Sequence, residues 1–157
     1  MNKHHLRKRW LTCLTLIYAI WWGGLVFYAG FVVPIATHQI GSTGQGFISQ
    51  QVTDIHNALL TVVIFCLFIE SWWQQRRRLW VIGLGLAVVD AGLYVQHSRL
   101  TEIMNFQDQS VSADFYTQHA IYLWLTTAEL LLGLALPFTM VLCTCNANLT
   151  MSPDVPR

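Results

Sequence analysis

Charge is what this 157-residue chain has least of: Asp, Glu, Lys and Arg make up 11% of it, against roughly 25% in an ordinary soluble domain. Its four cysteines contain no C-x-x-C pair, which argues against a membrane thiol oxidoreductase of the quinone-linked kind. Nothing resembles H-E-x-x-H or another fixed-spacing metal motif, and no catalytic motif, repeat or low-complexity tract is present. The apolar run after the basic start is too long for a signal-peptide core and lacks a small-x-small cleavage site, so it reads as a retained helix. A net charge of +1 provides no basic surface for nucleic acid.

What the chain does have is hydrophobic length. Hydrophobic residues make up 54% of it, and four stretches reach the roughly 20 residues that a helix needs to cross a hydrocarbon core. The expectation is an all-α, integral membrane four-helix bundle in one domain, 1–157, with transmembrane helices at about 10–36, 55–73, 79–96 and 115–143. Residues 1–9 form a basic start and 146–157 a flexible tail. Pro34 and Pro137 remove backbone donors near helix ends, which makes them the expected bends.

The cations set the orientation. Lys3, Arg7, Lys8 and Arg9 precede the first stretch, Arg76, Arg77 and Arg78 fill the second connection, and Arg157 ends the chain, leaving only Arg99 on the opposite side. Lys and Arg are retained on the cytoplasmic side, so both termini are expected there, in the inner membrane of a bacterium. Trp10, Trp72, Trp73 and Trp80 fall at the same edge, as an interfacial aromatic belt does. Cys13, Cys143 and Cys145 lie toward that edge and Cys66 within the membrane, so none faces an oxidising compartment.

The outer connections are polar. Gly41, Gly44 and Gly46 with Ser42 and Thr43 make 37–54 turn-rich, and Ser112 or Asp114 suits an N-cap of the last helix. Leu100, Ile103, Met104 and Phe106 could lay a short amphipathic helix on the membrane surface. Gly83, Ala87 and Ala91 on the third stretch, and Gly23, Gly24 and Gly30 on the first, offer shallow faces for helix packing. Glu70, near the inner boundary, is expected to reach outward to Arg76, Arg77 or Arg78.

Histidine placement is the main candidate for chemistry. His38, His56, His97 and His119 fall one per helix at the non-cytoplasmic boundary, where imidazoles could bind haem iron or copper. The competing account is that histidine simply tolerates the headgroup region. Deeper lie two acids, and an ionised carboxylate in hydrocarbon is costly enough to face the bundle interior. Asp90, Tyr94 and His97 share one stripe of the third helix; His119, Tyr122, Thr126 and Glu129 share an arc of about 80° on the fourth. Each stripe can carry protons, hold a polar ligand, or hydrogen-bond across helices and hold the bundle together.

The run Trp21-Trp22-Gly23-Gly24 with Phe27 and Pro34, and Phe115-Tyr116-x-x-His119 at the start of the last helix, resemble a broad group of four-span bacterial membrane proteins of unknown function. That group is similar to the copper-resistance-D-like superfamily, which includes a membrane protoporphyrinogen oxidase. The resemblance implies a four-helix bundle and makes haem, porphyrin or copper the first ligands to test. Of the superfamily's features, only His119 carries over with motif support. The porphyrin-oxidising branch has a histidine in its first helix and a lysine in its third, whereas this chain has Leu14, Thr15 and Tyr18 in the first region and no lysine in the third.

Three functional readings follow. The first is a membrane protein that binds haem b or copper through His38, His56, His97 and His119. The second is a small proton-coupled carrier that works through Asp90 and Glu129. The third is a non-enzymatic structural or assembly subunit that contacts the lipid bilayer and other membrane proteins, or further copies of itself, through its small-residue faces.

Overall fold

The first and second apolar stretches are not separate helices joined by a loop. In this computed structural model, which describes residues 3–75, 77–105, 107–108 and 110–149, helix continues from Lys3 to Gln74 with one break. Helix α1 spans Lys3–Phe27, a π-helical turn follows at Tyr28–Val32, and α2 spans Val33–Gln74. Helix α3 spans Arg77–Ile103, a two-residue hairpin pairs β1 (Met104–Asn105) with β2 (Ser110–Val111), and α4 spans Phe115–Leu149. The chain is all-α in class. Three helical stretches are long and apolar enough to cross a membrane, rather than the four expected: His5–Gln74, Arg77–Ile103 and Phe115–Thr139.

The break is at Gly41, with φ 77° and ψ 165°, a conformation open to glycine because it has no Cβ. Around it the long stretch doubles back. The Trp10 indole N–H donates to Glu70 at 3.1 Å, the Trp10 and Trp73 rings meet edge-on at 5.5 Å, and the Tyr28 and Ser49 hydroxyls lie 2.8 Å apart. These pairs are centred near Gly41, so the two arms run antiparallel. Before the break, the π-helical turn ends just ahead of Pro34, which has no N–H to give to the preceding turn. Pro137, by contrast, leaves α4 continuous.

Much of 37–54 is helical because it has something to pack against. Gln45, Gly46, Phe47 and Gln50 are buried, and Phe47 joins Leu100, Met104 and Phe115 in a small core. Tertiary contact overrides the turn propensity of Gly44 and Gly46. The same cluster removes the expected surface helix: α3 runs on to Ile103, and Leu100 and Met104 turn inward. Phe106, Arg76 and the tail 150–157 lie outside the described residues, as do the side chains of Cys143 and Cys145. Glu70 is 1% exposed and accepts from Trp10, so it turns inward instead of toward Arg77 or Arg78.

The main core is formed by Trp21, Leu60, Val63, Leu67, Leu86, Leu93 and Leu136. Close approach comes from glycines other than those expected on α1: a Cβ added at Gly23, Gly24 or Gly30 would meet nothing within 4 Å. On α3, Gly85 and Gly92 sit under Leu132 and Leu125 of α4, and Gly83 sits under Phe68 of α2. The tightest position is Gly133 on α4, where a Cβ would collide with the Trp22 ring. There the Tyr18 hydroxyl donates to the Gly133 carbonyl at 3.1 Å and the Trp22 indole to the Leu130 carbonyl at 3.3 Å.

Gly133→Ala is expected to destabilise the bundle by about 1–3 kcal/mol, as overpacking does, and Gly23→Ala by close to nothing. Unfolding by denaturing detergent, followed by circular dichroism, measures both; equal effects would contradict the packing described.

Candidate functional site

Counted from Gly41, His56 stands midway along the second arm of α2, not at a boundary. A helix that starts at residue 42 rather than 55 carries His56 about 20 Å along its axis. There it meets Glu129 of α4, which is 1% exposed. His56 Nε2 lies 2.9 Å from Glu129 Oε1, and the Trp21 indole N–H donates to the same oxygen at 2.9 Å. The Trp21 and His56 rings stack at 6.3 Å with 22° between their planes. Three helices thus converge on one carboxylate.

Above this point lies a cavity of about 450 Å³ bounded by α1, the π-helical turn, α2 and α4. Its walls are mainly apolar, and Ile20, Phe27, Ile55 and Leu123, all exposed, stand among them. The polar groups form two facing columns: Gln45, Ser49, Thr53 and His56 on α2, and His119, Tyr122, Thr126 and Glu129 on α4. Both columns follow helical spacing, so each occupies one face. The upper part is tied together by Ser49, which contacts Tyr28 and receives a hydrogen bond from the Gln45 amide. His119 stacks on Phe115 at 5.4 Å.

The fourth-helix stripe read from the sequence therefore lines this cavity in full. The third-helix stripe does not. Asp90 is buried and receives the Thr61 hydroxyl at 2.8 Å, with the Tyr94 hydroxyl 3.4 Å from Thr61. His97 pairs through Nε2 with Asp54 at 2.8 Å, while the Gln50 amide donates to the His97 carbonyl and to Thr101. His38 is exposed on the short arm before Gly41. No three His, Cys, Asp or Glu side chains among the described residues come together as a metal site would require.

Of the α2 column, sequence reading singled out His56 but missed Gln45, Ser49 and Thr53, and it missed Trp21 as a donor to the site. The column's i, i+4, i+8, i+11 spacing is visible in the chain but falls in a segment whose glycines and hydroxyl residues suggest a turn. It also missed Asn57, fully buried, whose two amide atoms have no hydrogen-bond partner among the described residues.

Glu129→Ala is expected to cost about 2–4 kcal/mol, because it strands both the Trp21 indole and the His56 imidazole in a buried position. Asp54→Asn, at a carboxylate 66% exposed, should cost no more than about 0.5 kcal/mol. Detergent unfolding of the two variants side by side checks the contrast, and a reversed order would show that the Glu129 contacts contribute little.

No protein-family model, no curated protein and no solved structure matches this chain, so its function is argued from this site alone.

Proposed function

We propose that the chain is a four-span protein of the bacterial inner membrane, with both termini cytoplasmic, that binds a mainly apolar small molecule entering its cavity from the bilayer. The observation that carries this reading is the cavity itself: apolar walls, exposed apolar side chains among its lining residues, and at its inner end a carboxylate already held by Trp21 and His56. Sites of this size with few, convergent polar groups are typical of small-molecule binding. The arms on either side of Gly41 make separate crossings, which the antiparallel contacts of Trp10 with Glu70 and Tyr28 with Ser49 support. Arg7, Lys8 and Arg9 on the first arm and Arg77 and Arg78 beyond the second then share one end, the cytoplasmic one.

Hydrogen bonding suits this site better than metal coordination. Copper would need donors grouped as they are not grouped among the described residues. For haem b, His56 and His119 both line the cavity, but His56 Nε2 is turned to Glu129, as His97 Nε2 is to Asp54, which makes His119 the imidazole to test. The role is binding and carriage, with no catalytic group assigned.

Solvent extraction of protein purified in mild detergent, followed by mass spectrometry, should recover an apolar small molecule in stoichiometric amount, and much less of it from Gly24→Leu, which fills the cavity. A Soret band lost in His119→Ala would make haem b the occupant. Recovery of bulk lipid alone, equal in both proteins, would refute the reading.

For topology, a cysteine at Gln39 should react with an impermeant maleimide on intact cells, and one at Gln74 only after the membrane is opened. Labelling of both from outside would break the four-span arrangement.

A further inference from the structure

We propose that the end of the bundle where α1 begins and α2 turns into α3 binds the headgroups of acidic phospholipids. The proposal rests on the membrane-spanning arrangement above, and not on the cavity or its occupant. Two basic clusters far apart in sequence meet at this end. Arg7, Lys8 and Arg9 lie in the first turns of α1, and Arg77 and Arg78 open α3; all five are exposed. Trp10 joins the two clusters. Its ring meets that of Trp73 edge-on at 5.5 Å, and its indole N–H donates to Glu70 at 3.1 Å. The neighbour of Arg9 is thereby fixed beside the last turn of α2, just before the connection that leads to Arg77.

Among the described residues, no acid neutralises this charge. Glu70 is the counter-ion that sequence position offers, but it is buried, accepts from Trp10 through one oxygen, and has no partner among the described residues for the other. No acid precedes Asp54, none lies between Glu70 and Asp90, and α4 carries none after Glu129. The first turn of α3 holds no acid either, so the positive end of its dipole adds to the arginines.

The surroundings select the partner. Trp72, Trp73 and Trp80 are exposed at the same end, and indoles favour the headgroup level of a bilayer, where one end of the ring is apolar and the other wet. Four of the five cations are arginine, whose guanidinium matches the paired oxygens of a phosphate. In a zwitterionic lipid an ammonium group offsets the phosphate charge and repels the arginines. Phosphatidylglycerol carries no such group, and a single cation near the surface favours an acidic lipid about fivefold.

The test uses the full chain in liposomes of phosphatidylcholine, part of which is replaced by dibrominated phosphatidylglycerol or, in parallel, by dibrominated phosphatidylcholine. Bromine quenches tryptophan at contact, so stronger quenching by the phosphatidylglycerol reports its enrichment at the protein. Both leaflets have one composition, so the direction of insertion does not affect the readout. The parent should favour phosphatidylglycerol at least about fivefold at low salt and lose most of that preference at about 1 M salt. Arg77→Gln with Arg78→Gln should bring the two lipids close to equality, and Arg9→Gln should lower the preference from the other cluster. Arg99→Gln, which removes an exposed cation near the far end of α3, should leave it unchanged. Equal quenching by the two lipids in the incorporated parent, a preference that either cluster's substitutions leave intact, or an equal loss in Arg99→Gln overturns the proposal and leaves the spanning arrangement standing. Retention of the detergent-solubilised protein on heparin, with no lipid preference, assigns the face to a soluble polyanion instead. A parent that does not incorporate into the liposomes overturns the spanning arrangement and this proposal together.

Discussion

The bundle turns on one carboxylate. Glu129 lies 108 residues from Trp21 and 73 from His56 in the chain, yet it gathers Trp21 of α1 and His56 of α2 onto a single oxygen. A carboxylate only 1% exposed persists with partners, because burying a polar group without hydrogen bonds is costly. Supplying those partners from two other helices makes the requirement structural: none of the three can shift along its axis without stranding a polar group. Apolar contact alone would not impose that register, since the attraction between apolar surfaces is non-directional.

Register then decides what the rest of the chain can do. The fold-back at Gly41 brings residue 56 level with residue 129, and the same alignment sets Ser49 by His119 and Thr53 by Tyr122. On the other side of α2, Thr61 meets Asp90 and Asp54 meets His97. The two buried acids, Glu129 and Asp90, thus belong to different polar layers, one opening on the cavity and one closed between α2 and α3. Asp90 Oδ1 and the Asn57 amide find no partner among the described residues, which marks the α2 and α3 seam as the less satisfied of the two.

How much of this was legible depended on whether the signal was local. The α4 stripe from His119 to Glu129 could be read directly, because helical spacing within an uninterrupted apolar stretch determines a face. The all-α class and the regions of long apolar helix were legible for the same reason. His56 was misplaced because the start of its helix was inferred from composition: Gly44, Gly46, Ser42 and Thr43 suggest a turn, and only contact with Phe115 and the end of α3 explains why they are helical. The four histidines at one level failed as a set once that start moved. Gly133 was invisible as a packing site because its demand comes from the Trp22 ring more than a hundred residues earlier.

The cavity itself follows from how α1 is attached. Trp21 reaches Glu129, Trp22 the Leu130 carbonyl and Tyr18 the Gly133 carbonyl, so α1 is joined to α4 through ring-sized spacers. Each ring ends in a donor that needs its acceptor, and Gly133 lets the two indoles seat fully. With those rings in place, α1 cannot close down at Gly24, where no side chain fills the gap.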